Sequence, residues 1–146
     1  MLLEDVKIVR VSNAQAAGVG AVNGTAVDMQ GYDGVLFLVA FGAIVAGAVT
    51  SVKAQQGAVS DGSDAADLAG TGITVADDQD NKIAALDVYR PTGRYVRPVV
   101  SRATQNATID SITAILYNGR SKPTALDAAT MIATSKSVGS PELGTP

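Results

Sequence analysis

The stretch Val35–Gln55 reads VLFLVAFGAIVAGAVTSVKAQ, and whether it is one helix or two strands decides the fold. Its first part, Val35–Val49, carries no charge and is mostly apolar. A membrane-spanning helix needs about 20 such residues, and this run is shorter and is interrupted by Gly42 and Gly47. It reads as a buried strand over Val35–Phe41, a glycine-marked turn, and the start of a second strand. The residues that follow support this. From Val49 to Gln55, Thr50, Val52 and Ala54 fall on one face and Ser51, Lys53 and Gln55 on the other, which is the period of a half-exposed strand. The expected connection is a hairpin turning around Ala43–Ala48.

Outward from this pair the chain keeps the same grammar. Short strands are expected at Glu4–Val11, Thr25–Met29, Ile73–Val75, Lys82–Tyr89, Arg94–Val100 and Ala107–Tyr117. Between them lie a glycine-rich loop or arm, Ser12–Gly24, the turn cluster QGYDG at Gln30–Gly34, and an acidic loop, Gly57–Asn81. DAADLAG, Asp64–Gly70, suits one helical turn, and Thr124–Ala133 a helical patch. Regularly spaced short strands, with no long helices between them, predict an all-β, single-domain antiparallel β-sandwich, jelly-roll-like or tulip-like. The sandwich is expected over 1–120, including an N-terminal strand or arm. Residues 121–146 form an extended Ser/Thr/Pro/Gly-rich C-terminal tail.

Composition narrows the chemistry. The 146 residues include four Tyr, two Phe and no Trp, so a core must be built from Val, Ile, Leu and Ala. The absence of Cys and His removes disulfides, thiolate nucleophiles, Cys/His zinc sites and His-based triads. No enzyme and no cofactor are expected. The acidic loop, residues 61–80, offers carboxylates, but VADDQDN lacks the spacing of a calcium loop and reads as solvated. GVGAVNG, Gly18–Gly24, departs from the dinucleotide-binding spacing. A carbohydrate-binding sandwich would need an aromatic platform, for which Tyr32, Tyr89 and Tyr95 are the candidates. MLLEDVKIVRV does not read as a secretory signal. No membrane partner is expected.

Net charge is −3, unevenly spread: residues 1–89 hold 11 acids and 4 bases, residues 90–146 hold 7 bases and 3 acids. Four arginines, Arg90, Arg94, Arg97 and Arg102, crowd the segment YRPTGRYVRPVVSRA, Tyr89–Ala103. In a strand Arg94, Val96, Pro98 and Val100 share one face, while Tyr95, Arg97 and Val99 share the other. The arginines thus form no one-sided basic stripe, which argues against nucleic acid as a partner. Pro98, lacking an amide donor, predicts an edge position or a bulge. Carboxylates of the acidic segment or of a neighbouring subunit are the expected arginine partners.

The same region carries a resemblance. Asp87–Pro123, DVYRPTGRYVRPVVSRATQNATIDSITAILYNGRSKP, resembles small structural proteins of tailed bacteriophages, the capsid decoration (cement) proteins. The matching positions are Arg90-Pro91, Arg94 to Arg97, Val99-Val100, Asn106-Ala107, Ile109–Ile115, Tyr117, Arg120 and Pro123. More loosely, Met29–Val39 resembles the turn into a central strand. The resemblance implies a virion protein on the outer surface of the capsid, a homotrimer that clamps the major capsid protein. Arg90, Arg94, Arg97, Arg102 and Arg120 would serve the subunit or capsid interface. A head-completion or tail protein is the alternative.

Overall fold

The computed structural model describes residues 1–139, 143 and 144. The part of the expected tail formed by Ser140, Pro141, Glu142, Thr145 and Pro146 lies outside the described residues. A single helical turn, α1 (Leu2–Asp5), precedes eleven strands: β1 (Lys7–Ser12), β2 (Gln15–Gly18), β3 (Val22–Asn23), β4 (Val27–Asp28), β5 (Gly34–Ile44), β6 (Val49–Gly57), β7 (Ala66–Asp67), β8 (Ile73–Val75), β9 (Ile83–Tyr89), β10 (Tyr95–Ala103) and β11 (Ala107–Tyr117). They make two antiparallel sheets. The first runs β1–β11–β5–β9, with β2 continuing the β1 lane against β11. The second has β3 and β4 in one lane, then β10, then β6, then β7 and β8. In chain order the lanes alternate between sheets except from β6 into β7 and β8. This four-on-four connectivity is that of a jelly roll.

The two strands of the opening stretch therefore do not form the expected hairpin. β5 lies in the first sheet between β11 and β9, so both of its edges are already paired. β6 lies in the second sheet, paired with β10 over nine residues, Val49–Gly57 against Tyr95–Ala103. The turn at Ala43–Ala48 is instead a corner from sheet to sheet. Gly47 takes a φ of 85° there, Val45 donates to the Asn106 carbonyl at 2.9 Å and Ala48 to the Val45 carbonyl at 3.0 Å. The alternation read from the sequence was right for each strand. What it does not reveal is which neighbours have already filled a strand's edges.

Between the sheets lies an aliphatic core. Phe37, Val35, Val39, Ile109, Ile112, Leu116, Val52, Val96 and Val100 are all at most 1 % exposed. They come from alternate positions of β5, β6, β10 and β11, as the pleat requires, except that an irregularity between Ile109 and Ser111 of β11 brings Ile109 and Ile112, three apart, to the same face. Thr50, on the inner face of β6, is equally buried, and its hydroxyl has no hydrogen-bond partner.

Three smaller expectations are corrected. Ala66–Asp67 is a two-residue strand, not a helical turn, because Gln55 and Gln56 of β6 pair with it. The Glu4–Val11 strand starts only at Lys7, since Leu2–Asp5 closes a helical turn, Val6 donating to Leu2 at 3.1 Å. Thr124–Ala133 makes no helix beyond a turn in which Met131 and Thr130 donate to the Asp127 carbonyl. The tail is held along the β1 edge by Thr124 donating to Glu4, the Arg10 amide donating to the Thr130 hydroxyl, and ion pairs of Lys122 with Asp5 and Lys7 with Asp127. Such covering blunts an otherwise open sheet edge.

Candidate interaction surface

The arginine run spans the turn from β9 to β10 and the length of β10. Val96, Pro98 and Val100 share one face, as the alternation predicts, and that face is buried in the core, while Arg97 is turned outward and half-buried. Pro98 does not mark an edge. β10 is an inner lane, and Pro98 pairs with Ala54 on one side. On the other side the neighbouring lane is broken between β3 and β4, opposite the ring. Gly24 sits in that break and donates to the Pro98 carbonyl at 2.9 Å. A Cβ at Gly24 would come 2.7 Å from Pro98 Cγ. The missing amide thus falls where no partner strand demands one.

The five candidate arginines divide into two groups. Arg97 is used internally: its Nε and Nη2 donate to Gln55 Oε1 at 2.9 and 2.8 Å. Arg102 is also internal. Its Nε donates to the Gly20 carbonyl and its Nη1 to the carbonyls of Ala16 and Ala107, at 3.2, 3.1 and 2.9 Å, which ties the glycine-rich arm to β10. Arg90, Arg94 and Arg120 instead gather at one end of the sandwich, around an open depression of about 550 Å³ shared with Tyr32 and Asp33. The backbone holds their loops in place. Arg90, at φ 51°, donates to the Asp33 carbonyl at 2.7 Å, and Arg120 donates to the Gly31 carbonyl at 2.9 Å.

Within this group only Arg94 has a carboxylate partner among the described residues. Its Nε and Nη2 meet Asp28 Oδ1 and Oδ2 at 3.0 and 2.8 Å, a two-pronged contact. The hydrogen bond from Arg94 is the main reason that the Asp28 carboxyl is held below its ordinary range. Arg90 and Arg94 also lie over the rings of Tyr89 and Tyr95, 5.1 and 5.2 Å from their centroids. The guanidiniums of Arg90 and Arg120 face solvent.

The acidic segment does not supply the arginines' partners, contrary to expectation. Its aspartates hold loops. Asp64 accepts from the amides of Ala58 and Val59, Asp61 from that of Ser63, Asp80 from that of Ile44, and Asp77 from that of Gly47. Asp67 binds Lys53 and Gln55 across the sheet. Asp61 and Asp64 take amides within their own loop, as short aspartates beside turns do, whereas Asp77 and Asp80 reach across to the Ile44–Gly47 corner. Among the described residues no three carboxylates come close enough together to hold a metal ion.

One pair was not anticipated. Tyr117 of β11 lies across Gly34 of β5 and its phenol donates to Asp87 Oδ1 of β9 at 2.7 Å. Burial first, and then the Asp87 carboxylate, pushes the Tyr117 phenol up to about 12. Only the three-strand register brings these residues together, and no spacing in the sequence encodes it. None of the described helices is long and apolar enough to cross a membrane. No family model matches the chain, and no curated protein matches it.

Proposed function

We propose that the chain is a structural virion protein, a capsid decoration protein that attaches to the outside of a phage head and stabilises the lattice of the major capsid protein. The observation that carries this reading is the gathering of Arg90, Arg94 and Arg120 at one solvent-facing end. These are arginines of the Asp87–Pro123 segment that resembles the decoration proteins, and two of them keep their guanidiniums free of any carboxylate in the described chain. Fixed loops presenting unpaired guanidiniums suit planar carboxylates on a partner surface. The jelly roll is also an architecture of viral shell proteins, a likeness of fold alone. Attachment would stabilise the shell by mass action, since the protein binds the assembled state.

The test uses shells that lack the protein. Adding purified protein should raise the temperature at which the shells disrupt, and Arg90→Ala with Arg120→Ala should lower occupancy without changing the melting of the free protein. Shells that disrupt at the same temperature with and without bound protein would refute the reading. A single ring of copies at one vertex would point to head completion or the tail instead.

A further inference from the structure

Two sheets have four edges, and three of these are short or covered. β3 and β4 make one edge from two residues each, and β7 and β8 make another from two and three. The lane of β1 and β2 carries the tail on β1 and Arg102 on the Ala16 carbonyl. The fourth edge is β9, seven residues long, free of proline and paired with β5 without a register shift. Its outer side is bare. Arg90 donates to the Asp33 carbonyl and Phe41 to the Lys82 carbonyl, at 2.7 and 3.0 Å. Antiparallel bonding alternates, so between these points Ala84, Leu86 and Val88 exchange hydrogen bonds with β5, while Ile83, Ala85, Asp87 and Tyr89 turn their N–H and C=O groups away from it. Among the described residues no strand and no loop backbone pairs with those outward groups.

The inner side of this edge is unfinished too. Leu86 and Val88 each keep 8 % exposure, whereas Phe37 and Val35 beside them on β5 keep none. Leu68, just after β7, and Ile73 of β8 pack against the core but stay partly exposed. Between β8 and the start of β9 lies a recess of about 200 Å³, walled by Phe41, Ile73, Val75 and Ala84.

The geometry points to β9 as a docking edge for an extended segment of a partner protein, which adds a fifth lane to the first sheet and sets its alternate apolar side chains against the recess. Two observations choose this occupant. The bare donors and acceptors repeat at every second residue, about 6.8 Å apart, a spacing that another extended main chain matches. The recess then separates a free segment from a second sandwich. The β9 of a second copy would bring only inner side chains already packed in that copy's own core, Ala84, Leu86 and Val88. A free segment has inward side chains to spare. The edge also lacks the usual guards against pairing: it has no proline and no bulge, and its one charged side chain, Asp87, is held by Tyr117. The inference rests on this edge alone and stands apart from the decoration reading.

Residue-resolved hydrogen exchange by NMR is the test, first on the free protein. The amides of Ala85 and Asp87 should exchange at least roughly tenfold faster than those of Leu86 and Val88. The probe is a panel of blocked, Lys-ended nine-residue peptides in which Thr alternates with Val, Leu or Phe, a pattern that reads alike in either direction. Binding should slow Ala85 and Asp87 and shift the resonances of Ile73 and Ala84. Ala in place of the apolar residues should weaken binding at least roughly tenfold. Ala85→Pro removes an outward donor but no bond to β5, so it should spare the fold and weaken binding by a similar factor. Should Ala85→Pro fail to fold, N-methylation of the peptide supplies the same test on wild type. Methyl groups on the Thr amides, which face β9, should abolish binding, and those on the apolar residues should spare it. Protection of Ala85 and Asp87 in the free protein would give the edge to the chain itself or, if it grows with concentration, to a second copy, and either would overturn the proposal. So would a panel in which no peptide binds, or binding indifferent to which amides are methylated.

Discussion

Gly34→Ala tests the register of three strands at once. Tyr117 lies across Gly34, and a methyl group there would overlap Cζ and Oη of the ring and come 2.8 Å from Cε1. The ring must then lift from the sheet, which also pulls the phenol from Asp87, 2.7 Å away. Overpacking of this kind costs about 1–3 kcal/mol, and the lost hydrogen bond about 1 kcal/mol more. The expected loss is therefore about 2–4 kcal/mol, or a fall of roughly 4–15 °C in melting temperature for a domain of this size. In a Tyr117→Ala background nothing occupies the space, and alanine in a strand is favoured over glycine by about 0.5–1 kcal/mol. There Gly34→Ala should be neutral or stabilising. A double-mutant cycle by urea denaturation, at one protein concentration, should give a coupling of at least ~2 kcal/mol. Equal losses in both backgrounds would show that Tyr117 does not lie over Gly34, and the β11–β5–β9 register would fall with it.

Thr50→Val should stabilise the fold by about 1–2 kcal/mol, because the hydroxyl it removes is buried without a partner; a lower melting temperature would show that the hydroxyl is bonded. The Tyr117 phenol, raised to about 12 in the fold, favours the folded state fully below its ordinary value of 10, and that stability is lost as pH climbs from 10 towards 12. Burial also raises the Tyr32 phenol, so absorbance at 295 nm should show more than one late tyrosine, and Tyr117→Phe should remove the step near 12. In acid the sign is reversed. Asp64 is held below its ordinary 3.8 by the Ala58 and Val59 amides, so its contribution is present above pH 3.8 and lost as pH falls through the depressed value. Asp64→Asn should flatten the stability profile below about pH 4, and an unchanged acid slope would refute that role.

The sequence exposed the strands and hid their partners. Alternation over Thr50–Gln55 and over Val96–Val100 grouped the side chains that share a face, because side-chain direction in a strand is a property of single residues; which face is the core, and that Val99 on the other side is buried too, came only with the fold. The hairpin was misread because pairing is a property of the whole set of strands, and β11 and β9 had already claimed both edges of β5. Pro98 shows the same limit. The residue was rightly seen as unable to donate, yet the gap that accommodates it belongs to the neighbouring lane at Gly24, far away in sequence. The arginines were legible as interface candidates but not as two groups. Only the fold reveals that Arg97 and Arg102 are spent on Gln55 and on backbone carbonyls.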